Sequence, residues 1–151
     1  MTINNLTKAI RAMVKDVVKE YRLTTENEGN PRCPTVFNGN LPPKRSSSLD
    51  DYPFVVVRFD ESEGTNDEVT ATVSIIAGCY TDIEDIEGQE DCINVLSSIQ
   101  TALLSMPNGI LNGKYILQTP VKITNIPEQP YPQWQVNMET KWSFRAPEVE
   151  F

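Results

Sequence analysis

The 151-residue chain contains no histidine. That absence removes the commonest general base and metal ligand, and with it any nucleophile system built on a Ser–His or Cys–His pair. Cysteine is scarce: Cys33, Cys79 and Cys92 are an odd number with no CxxC pair among them. The count argues against a disulfide framework and the spacing against a zinc site. Seven glycines are spread too thinly to make GxGxxG or GxxxxGK[ST], so no phosphate-cradling loop is present. No long apolar run occurs either. Residues 3–21 are apolar along one stripe only, with lysines and arginines between, which excludes a membrane span or a secretory leader in that stretch. The expectation is a chain folded in a reducing cytoplasm, with Cys79 and Cys92 packing as small hydrophobes.

Carboxylates are plentiful, but they fall mostly in polar turns. An apolar cleft that would raise a carboxyl pKa for acid catalysis is not evident around them. The run from Asp82 to Asp91 offers oxygen ligands, yet it lacks the EF-hand order of alternating acids, a glycine at the sixth position and a glutamate at the twelfth. It reads as a solvated loop leading into a helix, or as a docking surface for a basic partner. No enzymatic activity, cofactor or metal is therefore expected.

What the chain does have is the length of one domain, 1–151, long enough to bury roughly 70% of the surface its unfolded form exposes. Its net charge of −8 is unevenly placed. Residues 1–58 carry nine Lys/Arg against six Asp/Glu, and residues 59–151 carry four against fifteen. An acidic total argues against nucleic acid as the main partner. The division suggests a head-to-tail contact between the basic front of one copy and the acidic back of the next.

Residues 3–22 place Ile3, Leu6, Ile10, Met13, Val14, Val17, Val18 and Tyr21 at helical spacing, with Thr2 as N-cap. Residues 24–53 have no sustained period and read as a long loop or arm that orders on a neighbour, with Thr35-Val36-Phe37 as a possible short strand. Residues 54–59 form an apolar strand of central type. Residues 60–68 read as a polar turn region, and 69–80 as an alternating strand that closes an antiparallel hairpin with 54–59. A second helix spans 89–106 with Cys92, Ile93, Val95, Leu96, Ile99, Ala102, Leu103 and Met106 inward. Residues 115–117 and 121–126 are two short strands, or one interrupted at Pro120. The last strand, 133–145, alternates cleanly: Trp134, Val136, Met138, Thr140, Trp142 and Phe144 share one face, read as core. The economical fold is α+β, an antiparallel β-sheet with two amphipathic helices packed on one face. Its open face would be polar or would pack on another copy.

Several segments resemble a known family. Tyr52-Pro53-Phe54-Val55-Val56-Val57-Arg58, Ile75-Ile76-Ala77-Gly78-Cys79-Tyr80, Leu41-Pro42-Pro43-Lys44 and Glu128-Gln129-Pro130-Tyr131-Pro132-Gln133-Trp134 look like motifs of small proteins from phage and prophage tail-gene clusters. The last is the most specific. Those proteins resemble the tail terminators, or tail completion proteins, of long-tailed phages. The resemblance implies a structural virion protein of the tail-neck region, assembled in the host cytoplasm. It would form a hexameric ring that caps the tail tube, stops its growth and offers a surface to the head connector. The implied partners are further copies of the chain, the tail tube protein, the head-completion protein and, in a contractile tail, the sheath protein. DNA would pass through without specific binding. The alternative is another neck or tail component, a head-completion stopper or a tube subunit. Candidate contact residues are Leu41, Pro42, Pro43, Lys44 and Arg45 in the arm, Asp82, Glu84, Asp85 and Glu87 in the acidic run, and Tyr131 and Pro132 before the last strand.

Overall fold

The computed structural model describes residues 2–23, 31–39, 52–80, 87–125 and 133–146, with the side chains of Glu87 and Gln133 outside that description. The elements run α1 (Ile3–Val18), β1 (Thr35–Asn38), β2 (Phe54–Gly64), β3 (Glu68–Tyr80), α2 (Glu87–Leu104), a 3₁₀ turn (Pro107–Gly109), β4 (Ile110–Leu111), β5 (Tyr115–Asn125) and β6 (Gln133–Arg145). All six strands join one sheet in the order β1-β2-β3-β6-β5-β4. The fold is α+β, but the sheet is mixed. β1 pairs parallel to β2, with Thr35 opposite Phe54 and Asn38 opposite Val57. The expectation of a purely antiparallel sheet is corrected here. The physical reason is the long connection from β1 to β2, which lets the chain return and run in the same direction; a short hairpin turn would not.

The centre of the sheet is the antiparallel pairing of β3 with β6, continuous from Glu68–Arg145 to Tyr80–Gln133. It brings two alternating apolar stripes side by side, so Ala71 faces Trp142, Ile75 faces Met138 and Ala77 faces Val136. One apolar cluster joins these to Val55 and Val57 of β2, to Leu117 of β5 and to both helices. From α1 it takes Leu6, Ile10, Val14 and Val18, and from α2 Cys92, Val95, Leu96, Ile99 and Leu103. α1 begins where Thr2 accepts the Asn5 N–H on its hydroxyl at 3.1 Å. The Tyr21 hydroxyl, just beyond that helix, ties it to α2 through Ser98 and the Asn94 carbonyl. Ile93 of α2 is not inward as expected but exposed. The buried stripe Cys92, Val95/Leu96, Ile99, Leu103 leaves it about 100° round the helix. Among the described residues no helix is long and apolar enough to cross a membrane.

Other boundaries also moved. β2 runs on to Gly64 through a bulge at Asp60, so most of the expected polar turn is strand. β5 is one strand, with its register to β6 shifted between Gln118 and Lys122. Pro120 sits in that shift, where its missing N–H costs the ladder least. Within the expected loop 24–53, residues 31–39 are built in: Leu23 and Arg32 bridge, and Arg32 donates to the carbonyls of Cys33, Tyr52 and Pro53 at 3.2 Å each.

One polar relay lies inside this core. Thr140, fully buried, donates its hydroxyl to the Val73 carbonyl at 2.7 Å and accepts the indole N–H of buried Trp142 at 2.8 Å. Replacing Thr140 by valine keeps the volume and strands both partners. Thr140→Val is expected to lower stability by about 1–3 kcal/mol, the cost of a buried donor left unpaired. Urea unfolding followed by Trp fluorescence measures this; an unchanged midpoint would show that the relay carries no weight.

Candidate assembly surface

A strand's alternate residues point to opposite faces. On β2, Val55 and Val57 enter the main core, so Phe54 and Val56 point the other way. There they form a second, smaller apolar cluster with Tyr52, against which Phe37, Ile76 and Tyr80 pack. The two strands that carry the motif-like strings 52–58 and 75–80 thus meet in register, Phe54 opposite Gly78 and Val56 opposite Ile76. The Tyr52 and Phe54 rings contact edge to face, with centroids 4.9 Å apart, and Gln135 of β6 donates to the Tyr52 hydroxyl at 3.0 Å. The second face is therefore apolar at this end; the expectation was a face either polar or packed on another copy.

Gly78 explains why the string needs a glycine. The Phe54 ring occupies the space beside it, and a Cβ there would overlap the ring carbons. A glycine in a strand interior is weakening by itself, and the aromatic ring opposite it fills the space. Gly78→Ala should cost about 1–3 kcal/mol through overpacking. The same change in a Phe54→Ala background should cost much less, a coupling that a double-mutant cycle in thermal unfolding reads directly.

Further along, the second face turns polar. Arg58 pairs with Asp60 at 3.1 Å, and Asp60 also accepts the Ser74 hydroxyl. Gln118 donates to Ser143 at 2.8 Å, and Lys141 lies 3.9 Å from Glu139. An open groove of about 420 Å³ crosses this region, edged by Glu61, Glu63 and Glu68 on one side and Gln118 and Lys141 on the other. Among the described residues no three of Cys, Asp and Glu come together as a metal site.

Most of the residues singled out from sequence are outside the part of the chain that is described. Leu41, Pro42, Pro43, Lys44, Arg45, Asp82, Glu84, Asp85, Tyr131 and Pro132 fall outside the described residues. Glu87 opens α2, its side chain outside the description. Trp142 and Phe144 are buried in the main core and Trp134 is half-buried against it. Sequence reasoning passed over the β4–β5 hairpin. Its signal was present: Asn112-Gly113 adopts positive φ at both residues, the geometry of a tight hairpin turn, and the Lys114 N–H closes onto the Leu111 carbonyl. That turn presents Lys114 beside Lys8 of α1 at a second groove, of about 410 Å³.

Titration is perturbed at few places. The Asp16 carboxylate, by hydrogen bond and charge, raises the exposed Lys19 ammonium above its usual value. Burial raises the Tyr115 phenol. The Cys79 thiol is pushed well above its ordinary 9.0 by its hydrogen bond with Cys92 and by burial. Cys92 itself donates to the carbonyls of Ala77 and Trp134, at 3.5 and 3.4 Å. A thiol or phenol whose folded pKa is raised holds its proton longer folded than unfolded. Its contribution to stability is complete below the unfolded pKa and is lost as pH rises through the folded one. Stability should therefore fall from about pH 9 upward, and Cys79→Ala should reduce that fall. Melting temperatures across alkaline pH test this; parallel curves for the two proteins would remove Cys79 as a cause.

No family model matches the chain, and no curated protein matches it in sequence. The fold itself is shared with solved structures, 28 chains of which match. One of them superposes with a TM-score of 0.58 over 99% of both chains at 11% identity. At that identity the likeness is one of fold alone.

Proposed function

We propose that the chain is a structural subunit of a phage tail neck, forming a ring that caps the tail tube, ends its growth and receives the head connector. The observation that carries this reading is the agreement between motif and geometry. The strings that resemble tail terminators, 52–58 and 75–80, are paired strands whose shared outward side chains build the second apolar cluster. The string 128–134 leads into β6, the partner of β3. In this reading both helices cover one face of the sheet, since α1 and α2 share one cluster with Val57, Ile75 and Met138, residues of the same parity. The opposite face, apolar at one end and charged at the other, is left for partners, a division found at protein interfaces with an apolar centre and polar rim. The role is one of shape and surface complementarity, without catalysis. The ring contains further copies of this chain, its faces meet the tail tube and the head-completion protein, and DNA passes through it.

Negative-stain electron microscopy and native mass spectrometry of the purified protein should show a closed ring of defined copy number. Loss of the gene should give overlong tubes. Normal tails lying free of heads would instead identify a stopper, and unlimited self-polymerisation a tube subunit. A protein that stays monomeric and does not bind assembled tubes would end the proposal.

A further inference from the structure

β2 changes character at Arg58. Phe54–Val57 are buried and flanked by β1, whereas every residue from Arg58 to Gly64 is exposed. β1 ends at Asn38, and the Gly39 N–H closes onto the Val57 carbonyl at 2.8 Å. Among the described residues no strand covers the outer edge of β2 beyond that point. The edge carries Phe59, 41% exposed, then Asp60, Glu61 and Glu63. Asp60 is held by Arg58 and Ser74. Glu61 and Glu63 pair with no cation among the described residues. The hairpin beyond is stiff, because the Thr65 hydroxyl accepts the N–H groups of Asp67 and Glu68 at 3.3 and 3.1 Å.

The complementary feature lies at the other side of the sheet. The groove between α1 and the β4–β5 turn is lined by Asn5, Lys8, Ala12, Asn112, Lys114 and Tyr115, with no acid among its lining residues. Neither Lys8 nor Lys114 is in an ion pair among the described residues. Register puts groove and edge at one level: Glu63 is opposite Thr70, Thr70 opposite Ser143, and Ser143 opposite Ile116, the neighbour of Tyr115. Three strand spacings separate them, about 14 Å at the usual 4.8 Å per step. Glu61 and Glu63 thus lie on the second face at one margin of the sheet, along the groove that Lys141 also lines, and the Lys8/Lys114 groove lies at the other margin of the same end.

We propose that the acidic edge of β2 in one copy seats in the Lys8/Lys114 groove of a second copy. The occupant is a copy of this chain because the groove takes anions, the edge supplies them on a stiff strand, and the two surfaces do not overlap. Such a contact is heterologous, so each copy offers one half to each neighbour and the chain of copies closes when the rotation allows. Edge-to-edge pairing of two β2 strands is disfavoured by the same glutamates, which would meet their own kind. The inference deepens the ring reading and rests on it.

The test uses the full chain and two exposed charge reversals, E61K/E63K and K8E/K114E. Analytical ultracentrifugation should show wild type assembled and each variant alone weakened at least about tenfold, with an unchanged far-UV circular dichroism spectrum showing that the variants still fold. Mixing the two variants in equal amounts should restore assembly, because each Lys edge then finds a Glu groove and each Glu edge a Lys groove. The quadruple swap in one chain should assemble by itself. Variants that assemble as wild type would overturn the contact and leave the ring intact, with the edge acids serving only to prevent strand pairing. Weakened variants that neither mixing nor the quadruple swap rescues would likewise overturn it. A monomeric wild type that also ignores assembled tubes would remove the ring and this contact together.

Discussion

The structure depends on one long-range constraint, the unbroken antiparallel pairing of β3 with β6. These strands are separated in sequence by α2, β4 and β5, yet they run side by side from Glu68–Arg145 to Tyr80–Gln133 without a bulge. A slip of one residue would turn Trp142, Met138 and Val136 out of the core and Lys141 and Glu139 into it. The Thr140 relay reinforces the same register, since its hydroxyl reaches the carbonyl of Val73, the residue directly opposite. Everything else is hung on this pair. β2 extends the sheet on one side and β5 on the other, while α2 lays Cys92 against the carbonyls of both Ala77 and Trp134.

That register also decides what the two faces are. Period-two alternation sends Val73, Ile75, Val136 and Met138 to one side and Thr70, Thr72, Glu139 and Lys141 to the other, with Ile76 the aliphatic exception on that second side. β2 breaks the pattern at its first residues, which are apolar on both sides, and so a second cluster forms around Phe54. Gly78 is the counterpart of that break. Its missing side chain is the space the Phe54 ring occupies.

Much of this was legible in sequence where one physical signal dominated. Strand β6 and helix α1 were plain because their periods of two and 3.6 run uninterrupted over many residues. β1 is parallel to β2, and pairing direction is a property of the connection, which a four-residue segment does not record. The extension of β2 through Asp60, Glu61 and Glu63 was hidden because those residues carry poor strand propensity. The pairing with Thr70 and Thr72 overrides it, as tertiary context commonly does. The β4–β5 hairpin was passed over although Asn112-Gly113 announced it, since the flanking Ile110-Leu111 is too short to show alternation. The contact residues chosen from sequence were taken from segments rich in proline or acid. Almost all of them fall outside the described residues, and the charged surfaces within those residues come from a strand edge and a turn, whose juxtaposition only the sheet order supplies.

The uneven charge of the chain acquires a spatial meaning from that order. The sign changes between Arg58 and Asp60, within a single strand and at the point where β1 stops covering it. A charge reversal spread over a sequence produces no direction by itself, because folding can interleave the halves. Here strand order does the sorting: the acids that follow Phe59 line one margin of the sheet, while Lys8 of α1 and Lys114 of the β4–β5 turn, one from each half of the chain, meet at the other. A protein with opposite charges on opposite margins attracts its own kind in one orientation and repels it in the reverse. Directionality of that sort follows from strand order and register alone, and it requires no chemistry beyond the burial and pairing that already hold the fold together.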